Sequence, residues 1–326
     1  MASMDRPRPS RIPAGRLNWL KMARVGERIA LIAIPAAALL IAACGGGRAP
    51  ETVPAYFPVT VERADGKELT FETPPQRIVS LSPGHTEILF AIGAGGQVVA
   101  VDTESDFPEE AAAKTKFDAT SPDLEAIEGL DPDLVVVMDG PDELVQSLDQ
   151  RGLPALWLEL PVFLEDIFDQ IDALGEITGH RDQSDSLVDA MDGRVVAILD
   201  KVGATVGPRV YHELDDELTT VSLDTFIGEL YQILLAENVA GRSEEPFPRL
   251  TLDDIVGGDP EVIIVAHSGA SPESVKERPG WQDIAAVKNN RVYAIDPDIV
   301  NRPGPRLVDG LETLANLLLP DLFPEP

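Results

Sequence analysis

The chain has 326 residues, with 56 acidic and 26 basic side chains and a formal net charge of −30. This acidic excess argues against a nucleic-acid partner, because no cationic surface is left to displace counterions from phosphates. One cysteine and four histidines exclude a Cys/His zinc framework and a disulfide scaffold.

The first predicted element is a lipoprotein signal peptide over residues 1–43. A basic head precedes the apolar run 29–43, whose 15 residues are too few to cross about 30 Å of hydrocarbon. Ala42 and Ala43 then precede Cys44, which resembles the bacterial lipobox, where the signal is cut and the cysteine is acylated. We therefore expect lipidation at Cys44 and a place at the outer face of the cytoplasmic membrane, at the cell surface or in the periplasm. The alternative is that Cys44 merely ends a membrane anchor.

Residues 44–76 are predicted to form the lipidated tether and lead-in, since 45–58 are rich in Gly and Pro. Short β-branched runs then alternate with helical patterns at 86–92 and 226–235. The predicted strands are 77–81, 97–101, 134–138, 155–160, 209–213, 262–266 and 291–295. This alternation predicts an α/β fold with mostly parallel sheets flanked by helices.

A weak internal repeat predicts two similar lobes. Residues 121–137 resemble 250–265 when Asp131 is aligned with Asp259, and 75–80 resemble 207–212. The segment 182–202 has apolar residues at helical spacing and no proline. We therefore predict an N-terminal lobe over 77–180, one long backbone helix within 181–206 and a C-terminal lobe over 207–326. A ligand would bind in the cleft between the lobes, near the carboxyl ends of their strands.

Several stretches, in this order, resemble one known family: Arg77-Ile-Val-Ser-Leu-Ser-Pro-Gly-His-Thr-Glu, Ser105-Asp-Phe-Pro, Asp131-Pro-Asp-Leu-Val-Val, Arg278-Pro-Gly-Trp and Ala286-Val-Lys-Asn-Asn-Arg-Val-Tyr. The chain resembles the class III substrate-binding proteins of ABC importers, a group of periplasmic binding proteins with a helical backbone. The resemblance implies a membrane-anchored monomer without cofactor or catalytic residues, which delivers cobalamin, an iron–siderophore or haem to a permease dimer with its ATPase.

The repeat also pairs two acidic residues, Glu125 and Asp253, each in the predicted first turn of a helix, where a carboxylate is favourable. The resemblance implies that acids at these positions dock onto arginines of the permease dimer. The alternative is that both are solvated helix caps.

The resemblance implies a cleft rim with contributions from both lobes. The first lobe would supply Ser82, Pro83, Glu104, Phe107, Ala119, Met138 and Asp139, and the second Leu214, Asp215, Phe247, His267 and Ile299. Cobalamin binders carry tryptophans where this chain has Ala119 and Met138, whereas Phe247 keeps an aromatic ring. The acids on the rim favour a neutral or cationic chelate over an anionic one.

The predicted ligand is therefore cobalamin or a related corrinoid, then haem, then an iron–siderophore. Met138 and His267 are a possible axial pair for haem iron; the alternative is that Met138 fills an apolar wall and His267 starts a loop. His85 is expected to be a capping or loop residue rather than a ligand.

Enzyme motifs are absent from the sequence: it has no Gly-x-Ser-x-Gly, no His-Glu-x-x-His and no Lys-bearing phosphate loop. The glycines at 93, 95 and 96 follow a predicted helix and precede a strand, so they indicate a helix end rather than a dinucleotide loop. A secreted hydrolase remains the alternative from another functional class.

Overall fold

The computed structural model describes residues 53–138, 140 and 142–324. The predicted signal peptide, Cys44, the first part of the tether and Asp139 lie outside these residues. Among the described residues, no helix combines the length and the apolar character that a membrane crossing requires.

The first lobe contains an antiparallel hairpin and a parallel sheet. The hairpin pairs β1 (Val59–Glu62) with β2 (Glu68–Phe71). The sheet has the order β5-β4-β3-β6-β7. Its strands are β3 (Ile78–Ser80), β4 (Val98–Asp102), β5 (Thr115–Phe117), β6 (Leu134–Met138) and β7 (Ala155–Leu158), and its helices are α1 (Pro83–Ala91), α2 (Glu109–Ala112), α3 (Leu124–Glu128) and α4 (Asp142–Gln150).

The second lobe contains a four-stranded parallel sheet with the order β11-β10-β8-β9. Its strands are β8 (Arg209–Glu213), β9 (Glu237–Asn238), β10 (Val262–Val265) and β11 (Val292–Ala294). Its helices are α7 (Phe226–Ile233), α8 (Leu252–Gly258), α9 (Pro272–Lys276), α10 (Ala285–Lys288), α11 (Pro297–Val300) and α12 (Leu307–Leu318). The sheet order matches that of the first lobe, with β9, β8, β10 and β11 in the places of β4, β3, β6 and β7.

Two long helices connect the lobes. Helix α5 (Leu164–Thr178) turns through Gly179, whose φ of 84° is left-handed, into α6 (Arg181–Val202). The 22 residues of α6 span about 33 Å. The long helix predicted between the lobes is present and ends at Val202, four residues before the boundary at 206, whereas α5 was not predicted.

One hydrophobic core runs through both lobes and the connecting helices. It includes Ile78 and Val136 of the first sheet, Val210 and Ile264 of the second, and Val195 on α6. Each sheet also packs its other face against a smaller cluster of its own lobe. The two lobes are therefore similar in fold but share a continuous interior.

The internal repeat reappears as a repeated set of contacts at the start of each lobe. The guanidinium of Arg77 donates to the carbonyls of Leu130 and Asp131, and that of Arg209 donates to the carbonyls of Gly258 and Asp259. Both aspartates have left-handed backbones, with φ of 50° at Asp131 and 42° at Asp259. The prediction of two similar lobes with mostly parallel sheets is confirmed.

Candidate functional site

Ser82 and Met138 meet at the carboxyl edge of the first sheet. They follow β3 and end β6, which are adjacent parallel strands, so both reach the same edge. Ser82 caps α1 by accepting from the His85 backbone N–H at 3.4 Å, and its hydroxyl donates to the Met138 sulfur at 3.9 Å. Pro83 is the first residue of that helix, where its fixed φ and missing N–H cost nothing.

A buried polar network fixes the loop that carries Glu104 and Phe107. Asp102, at the end of β4, is 1% exposed and accepts from the Glu104 backbone N–H at 2.8 Å. The Ser105 hydroxyl contacts the same carboxylate and donates to Thr86 Oγ1 at 2.9 Å. Burial raises the pKa of Asp102 despite these hydrogen bonds. This network therefore fixes the buried side of the loop, while the Glu104 side chain and the Phe107 ring stay exposed.

His267 lies at the carboxyl edge of the second sheet and is fixed on both sides. Its Nε2 lies 3.0 Å from Glu213 Oε1, and its Nδ1 accepts from the Gly269 backbone N–H at 3.1 Å. Glu213 is fully buried and is also held by the forked guanidinium of Arg278, with one contact at 2.8 Å. Axial ligation of haem by His267 would require one of these hydrogen bonds to break. The role of His267 and Met138 as axial ligands stays a prediction.

Asp215 and Leu214 follow β8 and are half-buried. The Asp215 carboxylate accepts from the backbone N–H groups of Glu217 at 2.8 Å and Thr219 at 3.1 Å, which closes a tight turn. Burial opposes ionisation here, but the hydrogen bonds from Thr219 and Glu217 lower the pKa of Asp215 overall. This acid therefore closes the turn after β8 and contributes a fixed negative charge there.

Phe247 lines an interlobe groove of ≈ 410 Å³. The second lobe also supplies Asp224, Thr225 and Pro246, and the first lobe supplies Ala64, Trp157, Glu159, Leu160, Pro161 and Val162. The segment after β7 was not predicted as part of the site. The available signal was that Trp157 lies near the carboxyl end of a predicted strand, where ligand-binding side chains are expected.

Phe107 lines a second groove, of ≈ 640 Å³, together with Phe90, Lys114 and Arg306. The structure therefore does not bring all predicted rim residues into one cavity, because Phe107 and Phe247 border different grooves. Ala119 packs partly buried against the core of the first lobe. Ile299 lies on α11 and is half-buried.

The predicted docking residues occupy equivalent places. Glu125 is in the first turn of α3, which Asp123 caps, and Asp253 is in the first turn of α8, which Thr251 caps. Both side chains are exposed. Their positions agree with the repeat, and their role stays a prediction.

The other histidines have structural partners. His85 is fully buried and its Nε2 lies 2.9 Å from Gln170 Oε1; burial lowers its pKa to about 4. His212 contacts the Tyr231 hydroxyl at 2.6 Å, and burial lowers its pKa to about 3. His180 lies 3.2 Å from the Thr178 hydroxyl. Over the described part of the chain, no group of three or more His, Cys, Asp or Glu side chains is arranged to hold a metal ion.

Known proteins resemble this chain over most of its length. It is 32% identical over 303 residues to the ABC transporter substrate-binding lipoprotein YvrC of Bacillus subtilis, covering 89% of this chain and 96% of that protein. It is 27% identical over 243 residues to the vitamin B12-binding protein of Vibrio parahaemolyticus, covering 73% of this chain and 87% of that protein.

A solved structure shows the same fold. The periplasmic vitamin B12-binding protein BtuF of Vibrio cholerae superposes with a TM-score of 0.67 at 24% identity, covering 77% of this chain and 99% of that chain. The sequence profile described as periplasmic binding protein matches residues 78–299. The chain therefore belongs to the periplasmic binding protein family, as its motifs predicted.

Proposed function

We propose that this chain is the extracytoplasmic substrate-binding lipoprotein of an ABC importer and that it captures a cobalamin or related corrinoid between its lobes. The observation that carries the proposal is the groove in which Phe247 of one lobe faces the segment after β7 of the other. A groove with walls from both lobes can bind a ligand between them, and such binding needs no catalytic residue. The relatives named for B12 binding support the choice of guest.

Charge supports a guest without strong net negative charge. Asp215 and Glu104 contribute carboxylates to the rim, and Arg302, beside the first lobe's rim loop, is already paired with Asp106 at 2.7 Å and Asp298 at 2.8 Å. An anionic siderophore would have to displace such carboxylates to gain an ion pair. Haem is the second candidate because Met138 and His267 lie at the strand ends of opposite lobes, although both imidazole nitrogens already have partners.

Calorimetric titration of residues 45–326 tests the proposal. Cyanocobalamin, haemin, a neutral iron–hydroxamate and an iron–catecholate are titrated separately, and the chelate is recovered afterwards to check that it is unchanged. We expect saturable 1:1 binding of cyanocobalamin and at least tenfold weaker binding in Phe247→Ala, because the guest loses an aromatic contact surface. Phe90→Ala, in the other groove, is the matched control. Absence of binding by all four chelates, or their chemical conversion, contradicts the proposal.

We further propose that lipidated Cys44 holds the protein at the membrane and that Glu125 and Asp253 contact arginines of the permease. Reversal of both charges with Glu125→Lys and Asp253→Lys should reduce chelate uptake by cells more than tenfold while calorimetric affinity stays the same. Glu143→Lys, an exposed acid in the first turn of α4, is the control. Normal uptake by the double variant would contradict the docking role, and membrane retention of unprocessed Cys44→Ser at full level would contradict the lipid anchor.

A further inference from the structure

The two lobes are in close contact where α1 of the first lobe meets residues 301–306 of the second. A Cβ atom on Gly84 would lie only 2.5 Å from the Pro303 carbonyl oxygen, so this approach requires glycine. The segment belongs to the second lobe, since the Asn301 side chain donates to the Ala266 carbonyl at 3.0 Å and α12 begins at Leu307. The backbones of the two lobes are therefore in direct contact here.

A buried ion pair crosses the same junction. Glu87 on α1 is only 3% exposed, and its two carboxylate oxygens accept from Arg306 Nε at 3.0 Å and Arg306 Nη2 at 2.6 Å. Arg302 lies 3.5 Å from the same carboxylate. Such a forked arrangement fixes both distance and angle between its partners, and removing one partner leaves a buried charge without compensation.

The same guanidinium also contacts a ring that borders the groove lined by Phe90 and Lys114. Arg306 lies over the Phe107 ring at 4.2 Å, while Phe107 remains 45% exposed. Arg302 adds a second connection to the same loop through its contact with Asp106 at 2.7 Å. A change in the distance between Glu87 and Arg306 would therefore also move the loop that carries Phe107.

We propose that Glu87 and Arg306 are positioning residues that set the separation of the two lobes at this edge of the cleft and, through Phe107, the shape of the groove that Phe107 borders. Opening the cleft at this edge would separate the Glu87 carboxylate from the Arg306 guanidinium. The ligand-free protein therefore already has the lobe separation that a ligand meets. The inference rests on the proposed function only where it concerns the guest. The separation of the lobes can be measured without any ligand.

The chain contains a matched control for this constellation. Glu213 is buried and forked by Arg278, and Arg278 lies over the Trp281 ring at 4.8 Å. All three residues belong to the second lobe. Glu87→Gln and Glu213→Gln therefore remove the same chemistry, once across the junction and once within a lobe.

Double electron–electron resonance measures the separation directly. Spin labels are attached at Glu143→Cys and Glu273→Cys, exposed positions in the first and second lobes, on residues 45–326, which contain no other cysteine. We expect Glu87→Gln to lengthen and broaden the distance distribution, whereas Glu213→Gln keeps the parent distribution although it also loses stability. The double variant Glu87→Gln/Arg306→Gln leaves no uncompensated buried charge and should fold while keeping the broad distribution.

Ligand kinetics give a second readout. Dissociation of cyanocobalamin should be at least tenfold faster in Glu87→Gln and in the double variant, whereas Arg151→Ala, at an exposed ion pair with Glu128 in the first lobe, should keep the parent rate. Parent-like distances in both Glu87 variants would overturn the inference. Changed distances in a protein that binds no chelate would overturn the proposed function and leave the inference standing.

Discussion

The two lobes share one framework but differ in chemistry at their strand ends. In both, an arginine at the start of the sheet donates to carbonyls after a later helix, including that of an aspartate with a left-handed backbone. At the carboxyl edge the first lobe has the hydroxyls of Ser80, Thr86 and Ser105 around Asp102. The second lobe has the charged group of Glu213 and its partners in the corresponding region.

This difference indicates which contacts build the fold and which can vary. The carbonyl-binding arginines close the same turn in each lobe and depend only on backbone geometry. At the carboxyl ends of the strands, by contrast, the side chains of the two lobes have different charge and shape. The largest effects of substitution on stability are therefore expected at the charged group of the second lobe and the smallest at the repeated framework.

Glu213→Ala should lower the free energy of unfolding by about 3–5 kcal/mol, because Arg278 is then left in a largely buried position without its carboxylate. Ser105→Ala in the first lobe should cost less, about 2 kcal/mol, since it removes one hydrogen bond to the Asp102 carboxylate and one to the Thr86 hydroxyl but leaves no buried cation unpaired. Urea unfolding at pH 7 measures both. Equal losses would show that the two networks do not differ in the way their charges imply.

Acid should destabilise the protein through one buried histidine in each lobe. The pKa of His85 is lowered to about 4 and that of His212 to about 3, so the unfolded chain takes up protons first as the pH falls below 6.5. Stability is complete above that pH and is lost progressively toward the lowered values. For His85 the loss between pH 6.5 and 4 is about 3 kcal/mol.

His85→Gln removes this titration and should flatten the fall in unfolding free energy over the same pH range. The substitution lowers stability at pH 7, so the slope with pH, and not the absolute value, is the informative quantity. His180→Gln, a half-buried histidine at the turn before α6, is the control. An unchanged slope in His85→Gln would contradict the assignment.

The sequence predicts the central elements well because their signals are local. Strands β6 and β8 have the bounds expected from their β-branched runs. Strand β9 has only two residues and was not predicted. Helix α5 was also not predicted, although Ile167, Ile171 and Leu174 have helical spacing and are buried.

The site is harder to predict because it depends on how the lobes pack together. The groove wall after β7 is formed only when the second lobe places Phe247 opposite it. Likewise, nothing near Glu87 in the sequence indicates that its partner lies 219 residues away at Arg306. The sequence pattern predicts the residue at which each strand ends. Which strand ends border the same cavity is decided by the relative position of the two sheets.

The smallest expected effect tests the shared framework. Arg77→Ala and Arg209→Ala should each lower the free energy of unfolding by about 1 kcal/mol, because each removes hydrogen bonds to carbonyls at a partly exposed helix end. The two losses should agree within about 0.5 kcal/mol and add in the double variant, since the sites lie in different lobes. Arg249→Ala, whose exposed pairing with Glu217 is expected to contribute little, is the control. A loss at only one of the two arginines would show that the repeated contacts support the lobes unequally, and that the similarity of the lobes lies in their topology alone.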